Sequence, residues 1–123
     1  MISGAYDLRT GMISLRPRSN KFGAIPTVVD NIRFASMAEA RRYSELKLLE
    51  RAGEISRLEL QPKFPMIVNG EKVTTYIADF AYFTKEKRVV EDVKSSATKT
   101  AVFRLKAKLL HALYPAIELT VIE

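Results

Sequence analysis

A small α/β domain, with a mixed sheet flanked by helices, is the fold that the sequence predicts. Three observations carry the prediction: a capping sequence that opens a helix at Ser36, alternating apolar segments around Asn69-Gly70, and a basic helix followed by a last apolar strand. In order they give helix, three antiparallel strands, helix, strand. At 123 residues the chain is expected to fold as one domain.

Residues 1–22 mix Ser, Gly, Asn and Arg with few periodic apolar residues, which predicts a flexible basic arm ahead of a folded domain over 23–123. Within the arm only Asp7 offsets Arg9, Arg16, Arg18 and Lys21. DNA or a partner subunit would order it, and a plain disordered tail is the alternative. Between Ile25 and Phe34, Asp30-Asn31 predicts a small hairpin, since both residues tolerate left-handed backbone angles.

Ser36-Met-Ala-Glu39 is a capping box, in which the Ser36 hydroxyl and the Glu39 carboxylate each take up a free backbone N–H. The helix is predicted to reach Ala52 and stop at Gly53, with Ala38, Leu46, Leu49 and Ala52 as core stripe and Glu39 at its edge. Capping alone accounts for Glu39; a view into a site on the sheet is the other role open to it. Arg42 and Glu45 read as an ion pair. Leu58 and Leu60 alternate as far as Pro62, so a strand ends or bulges there with Gln61 at the break. Asn69-Gly70 then turns the chain antiparallel into a strand bearing Asp79.

Residues 76–94 read as two strands joined by a charged turn. Strand side chains alternate, so Asp92 and Lys94 share a face, Val93 takes the other, and Asp79 meets them from the neighbouring strand. Acids placed together on a buried face need a cation, a lysine or water beside them. Oxygen donors suit Mg²⁺, which keeps several waters and binds through one or two carboxylates plus a phosphate. A solvated edge hairpin with its charges in water is the competing reading.

A helix over 98–114 is predicted with two apolar strips: a broad one of Ala101, Val102, Leu105, Leu109, Ala112 and Leu113, and a second of Phe103, Ala107, Leu110 and Tyr114. Such a helix wants sheet on one side and, on the other, the N-terminal segment or a second subunit. Lys99, Arg104, Lys106 and Lys108 face no acid between Thr98 and His111. Pro115 ends the helix, and Ile117 to Ile122 reads as a buried strand that a helical crossover makes parallel to its neighbour.

Composition narrows the chemistry. With no cysteine and one histidine, disulfides, thiolate zinc sites, histidine metal clusters and a Ser-His-Asp triad fall away, which leaves carboxylates and lysine. The net charge of +6 favours an anionic partner, nucleic acid being the commonest. No apolar run approaches the ~20 residues of a membrane helix, and the first residues lack the order of a signal peptide. No membrane association and a cytoplasmic site of action are expected.

The order of elements, with an acid ending one middle strand and Asp92-Val93-Lys94 in the next, resembles the restriction-endonuclease-like αβββαβ core of the PD-(D/E)XK nuclease superfamily, which includes Holliday junction resolvases. Phe34 to Tyr43, Leu60-Gln61-Pro62, Tyr76 to Phe80 and Val90 to Lys94 resemble more closely a group of small phage proteins. They are also similar to the nuclease domain of the DNA-cleaving subunit of heteromeric bacterial transposases. The match covers residues 25–123, with Ala78 where the usual motif has proline and with two adjacent acids at Glu91-Asp92. Alternation selects Asp92, because Glu91 points away from Lys94.

The resemblance implies a Mg²⁺-dependent endodeoxyribonuclease, for which Mn²⁺ can substitute. Glu39, Asp79, Asp92 and the Val93 carbonyl would hold the metal, Lys94 would address the attacking water, and Gln61 would be a polar position beside them. Arg16, Arg18, Lys21, Lys99 and Lys106 would contact flanking phosphates. With no base-reading helix and a spare apolar strip, branched or junction DNA and a homodimer are the expected partners. The rival expectations are an inactive DNA-binding module of the same fold and a phage structural or host-interaction protein.

Overall fold

Hairpin turns and helix caps set the path of the chain, and the two tight turns, at Asp30-Asn31 and Asn69-Gly70, fall where the sequence puts Asx and glycine residues. A computed structural model of the chain describes residues 6–7, 12–13, 25–95 and 98–123. Tyr6–Asp7 (β1) pairs antiparallel with Met12–Ile13 (β2). Apart from these, the arm expected over 1–22, with Arg16, Arg18 and Lys21, lies outside the described residues. Thr27–Val29 (β3) and Ile32–Phe34 (β4) form the hairpin predicted at Asp30-Asn31, whose φ angles are 52° and 60°.

Met37–Arg51 (α1) starts at the predicted cap, where Ser36 Oγ accepts from the Glu39 N–H at 3.1 Å. The return bond differs from a strict capping box: Glu39 Oε2 accepts from the Ala35 N–H, at 3.2 Å. The core stripe is also rotated from the predicted one. Ala40, Tyr43 and Leu46 are buried while Ala38 and Ala52 are exposed. The cause is the β3–β4 hairpin, which lays Phe34 against Tyr43 with ring centroids 5.0 Å apart and turns that face of α1 inward.

Ser56–Leu60 (β5), Lys63–Val68 (β6), Glu71–Ile77 (β7) and Phe80–Phe83 (β8) make one long hairpin bent in the middle. Its turn is Asn69-Gly70, at φ 51° and 78°. Leu60 pairs with Phe80 and Lys63 with Ile77, and the ladder continues between them through Gln61 N–H to Asp79 O (3.0 Å) and Ala78 N–H to Pro62 O (3.1 Å). Gln61 takes a left-handed φ of 53°, and the buried Pro62 brings no N–H to the ladder. Both strands therefore break across from each other. The strand expected to run through Asp79 is two strands, and Asp79 stands in the break.

Arg88–Val93 (β9), Ala101–Leu113 (α2) and Ile117–Ile122 (β10) complete the chain. The principal sheet has the order β10-β9-β8-β5, with β10 parallel to β9 and the other pairs antiparallel. The predicted crossover and mixed sheet are therefore present. Phe80, Tyr82 and Val89 face α1, whereas Ala81 and Val90 face α2 and the β6–β7 hairpin.

Neither strip of α2 is covered as a whole: Leu109 and Leu113 of the broader one pack against the core beside the narrower one. Leu110 is buried, and Phe103 and Tyr114 pack with it under β6–β7, where the Tyr114 hydroxyl donates to Pro65 O at 2.7 Å. Val102 and Leu105, from the broader strip, are 63% and 68% exposed. The bent hairpin folds over one flank of α2 and so decides which residues are covered. Among the described residues no helix is long and apolar enough to cross a membrane.

Candidate functional site

The break in the bent hairpin and the end of β9 bring the acids together. Alternation along β8 and β9 puts Asp79, Ala81, Val90, Asp92 and Lys94 on the face toward α2. Asp79 Oδ2 accepts from the Val93 N–H at 2.8 Å, and the Asp79 N–H donates to Glu91 O at 3.1 Å, which ties the acid to β9. The Asp79 and Asp92 carboxyls stand close enough for each to act on the other's proton affinity. Asp92 is 2% exposed and accepts from the Tyr76 hydroxyl.

Glu39 arrives from the start of α1 and is 7% exposed. A cleft of about 240 Å³ opens in front of it, lined by Glu39, Asp79 and Gln61 among others. Burial, then the negative charge of Asp79, pushes the Glu39 carboxyl up to about 7 against the pull of the Ala35 N–H and Lys94. Asp92 is pushed up to about 7 by burial and by Asp79, against the Tyr76 hydroxyl and Lys94. Asp79 is raised as well, by burial, while the Val93 N–H and Lys94 oppose it. Lys94 thus acts electrostatically on all three acids, and its Nζ lies 5.3 Å over the Phe103 ring.

The adjacent acid turns the other way. Glu91 is 1% exposed, receives Arg42 Nε at 2.8 Å and Nη2 at 2.7 Å, and accepts from the Tyr82 hydroxyl. Alternation had selected Asp92 over Glu91 for the site, and the two side chains do part in that sense. The expected Arg42–Glu45 pair is present at 3.2 Å, but it is the minor partnership of Arg42, with Glu45 exposed. Of the basic residues named for phosphate contact, Lys99 pairs with Glu123 at 3.3 Å and Lys106 is half-buried on α2.

The donor set fits a hard divalent cation in kind: two carboxylates on one face, held together although both would prefer to be apart when ionised. In number it is lean. Among the described residues no three His, Cys, Asp or Glu side chains form a group that would hold one ion, so Glu39 neighbours the Asp79–Asp92 pair without completing a triad. Sequence reasoning missed Tyr76, Arg33 and the Arg42–Glu91 pair. The partners of Tyr76 and Arg42 lie 16 and 49 residues away, and nothing local marks any of these residues.

A small mixed α/β domain with a buried acidic centre at the end of its sheet is the class of protein that fold and site define. The chain belongs to the DUF1064 family, described as a protein of unknown function, whose model matches residues 19–123. No solved structure matches it.

Proposed function

We propose that the chain is a divalent-metal-dependent endodeoxyribonuclease that hydrolyses phosphodiester bonds in DNA. The observation that supports this reading best is the Asp79–Asp92 pair, with Asp92 buried, Asp79 half-buried, Lys94 beside them and Glu39 at the cleft. Asp79, Asp92 and the Val93 carbonyl would hold Mg²⁺, or Mn²⁺ in its place. When bound, such an ion supplies positive charge to the scissile phosphate and to the attacking water. Lys94 holds that water in line and offsets the charge that grows on the phosphoryl oxygens. The water oxygen bonds to phosphorus and gives up a proton to solvent, the P–O bond to the leaving sugar breaks, and the leaving oxygen takes up a proton from solvent. Tyr76 keeps Asp92 oriented through its hydroxyl.

Small size and the lack of a base-reading helix favour branched or junction DNA as substrate. A homodimer would serve paired cuts, with the exposed Val102 and Leu105 of α2 available for it. Nicking of linear, flapped and four-way DNA in Mg²⁺ tests the reading. Cutting that depends on the metal and is lost in Asp79→Asn and Lys94→Ala is the expected result; wild-type protein that binds DNA and never cuts it refutes the enzyme. One observation favours that second reading, a DNA-binding module without turnover: the described residues contain no ready three-ligand group.

A further inference from the structure

The cleft in front of Asp79 has one wall that the acids do not explain. Arg33, the middle residue of β4, lines it together with Glu39, Gln61 and Asp79. Its Nε is buried and has no hydrogen-bond partner. Buried guanidinium N–H groups are ordinarily paired, because removing one from water without an acceptor is unfavourable.

Other arginines of the domain show what a structural role looks like here. Arg42 gives its Nε and Nη2 to Glu91. Arg88, whose Nε is also unpaired, lies over the Phe64 and Phe83 rings and reaches Glu59 at 3.3 Å. Arg33 forms no such ion pair or ring contact with the described residues. It holds a fixed positive charge and an unused donor at the mouth of an acidic site.

We propose that Arg33 grips a phosphate of the bound strand, the one adjoining the bond to be cut. A guanidinium offers parallel N–H donors to two non-bridging oxygens, a geometry that lysine lacks. The charge balance of the cleft favours the same assignment. A phosphodiester brought against Glu39 and Asp79 is repelled by both unless cations flank it, and Arg33 supplies one from the β4 wall of the cleft. This inference rests on the endonuclease reading and gives it a substrate contact that lies outside the carboxylate and lysine positions.

Binding of a fluorescein-labelled DNA duplex to the full chain tests it, followed by anisotropy across a salt series, in Ca²⁺ buffer with the absence of cutting checked on a gel. Arg33→Met is expected to weaken binding about tenfold or more and to lower the slope of log affinity against log salt by about one. Arg33→Lys should recover part of the affinity, and the exposed Arg51→Ala should match wild type. Because the substitution removes an unsatisfied buried donor, Arg33→Met should melt no lower than wild type. Wild-type affinity and slope in both Arg33 variants would overturn the inference and leave the endonuclease reading standing; so would a loss of several degrees in melting temperature, which marks a structural arginine. If wild-type protein itself shows no salt-dependent binding, the endonuclease reading fails and the role of Arg33 falls with it.

Discussion

Glu39 and Asp92, both pushed up to about 7, hold less than their full complement of charge at neutral pH, and that sets a pH dependence. The unfolded carboxyls titrate near 4, whereas Glu39 and Asp92 in the folded chain titrate at about 7. Between these values the native state binds more protons than the unfolded state, so the contribution of each group is full below about pH 4 and is lost as pH rises to about 7. One pKa unit is worth about 1.4 kcal/mol, so a single carboxyl contributes on the order of 3 kcal/mol across this window. Asp92→Asn should therefore stabilise the metal-free chain relative to wild type at about pH 8 and much less at about pH 5, read by thermal melts at the two pH values. Mg²⁺ should raise the wild-type melting temperature at the higher pH only, and leave the variant where it was. Equal melting shifts at both pH values would count against the acidic centre. The core of this centre was legible in the sequence, since Asp79, Asp92 and Lys94 follow from the two-residue period of strands and Glu39 from its cap. Arg33 and Tyr76 were not, because an unpaired guanidinium and a remote hydroxyl leave no periodic trace.

At the scale of elements, the Arg42–Glu91 pair fixes α1 against β9. Arg42 lies one turn after Glu39, and Glu91 immediately precedes Asp92, so a single bidentate contact sets how the helix acid stands relative to the sheet acids. Burying an ion pair adds little net stability, but removing one partner strands the other. Arg42→Met should cost about 3–5 kcal/mol in urea unfolding, since Glu91 would keep only the Tyr82 hydroxyl. Arg42→Met combined with Glu91→Gln should recover most of that loss, and additive costs in the double variant would show that the two residues act separately. The sequence offers both residues but pairs Arg42 with the nearer Glu45, the contact available within one helix. It likewise marks the break at Gln61-Pro62 without showing that the opposite strand breaks too. A bend is a property of both strands of a ladder, and only the proline side carries a signal.

For the whole molecule the informative element is α2, which has apolar residues on more than one flank, of which Val102 and Leu105 stay exposed among the described residues. The β6–β7 hairpin settles the matter by lying over Phe103, Leu110 and Tyr114, so Leu110 of the narrower strip is the buried anchor, with Leu109 and Leu113 of the broader one packed beside it. Hydrophobic periodicity finds both strips and cannot rank them, because the cover comes from a hairpin that ends 24 residues before α2 begins. Leu110→Ala opens a cavity in a filled core and should cost about 2–5 kcal/mol, while Leu105→Ala should stay within about 0.5 kcal/mol of wild type. The pair of variants, measured by urea unfolding at low protein concentration, reads out whether Leu110 or Leu105 is inside. The same side chain also reports on assembly. If Leu105 is covered by a second copy, the wild-type melting temperature rises with protein concentration and Leu105→Lys abolishes the rise, whereas a monomer shows neither. A concentration-independent melting temperature, with Leu105→Lys as stable as wild type, would remove the homodimer from the proposed mechanism and leave single cuts as the proposed chemistry.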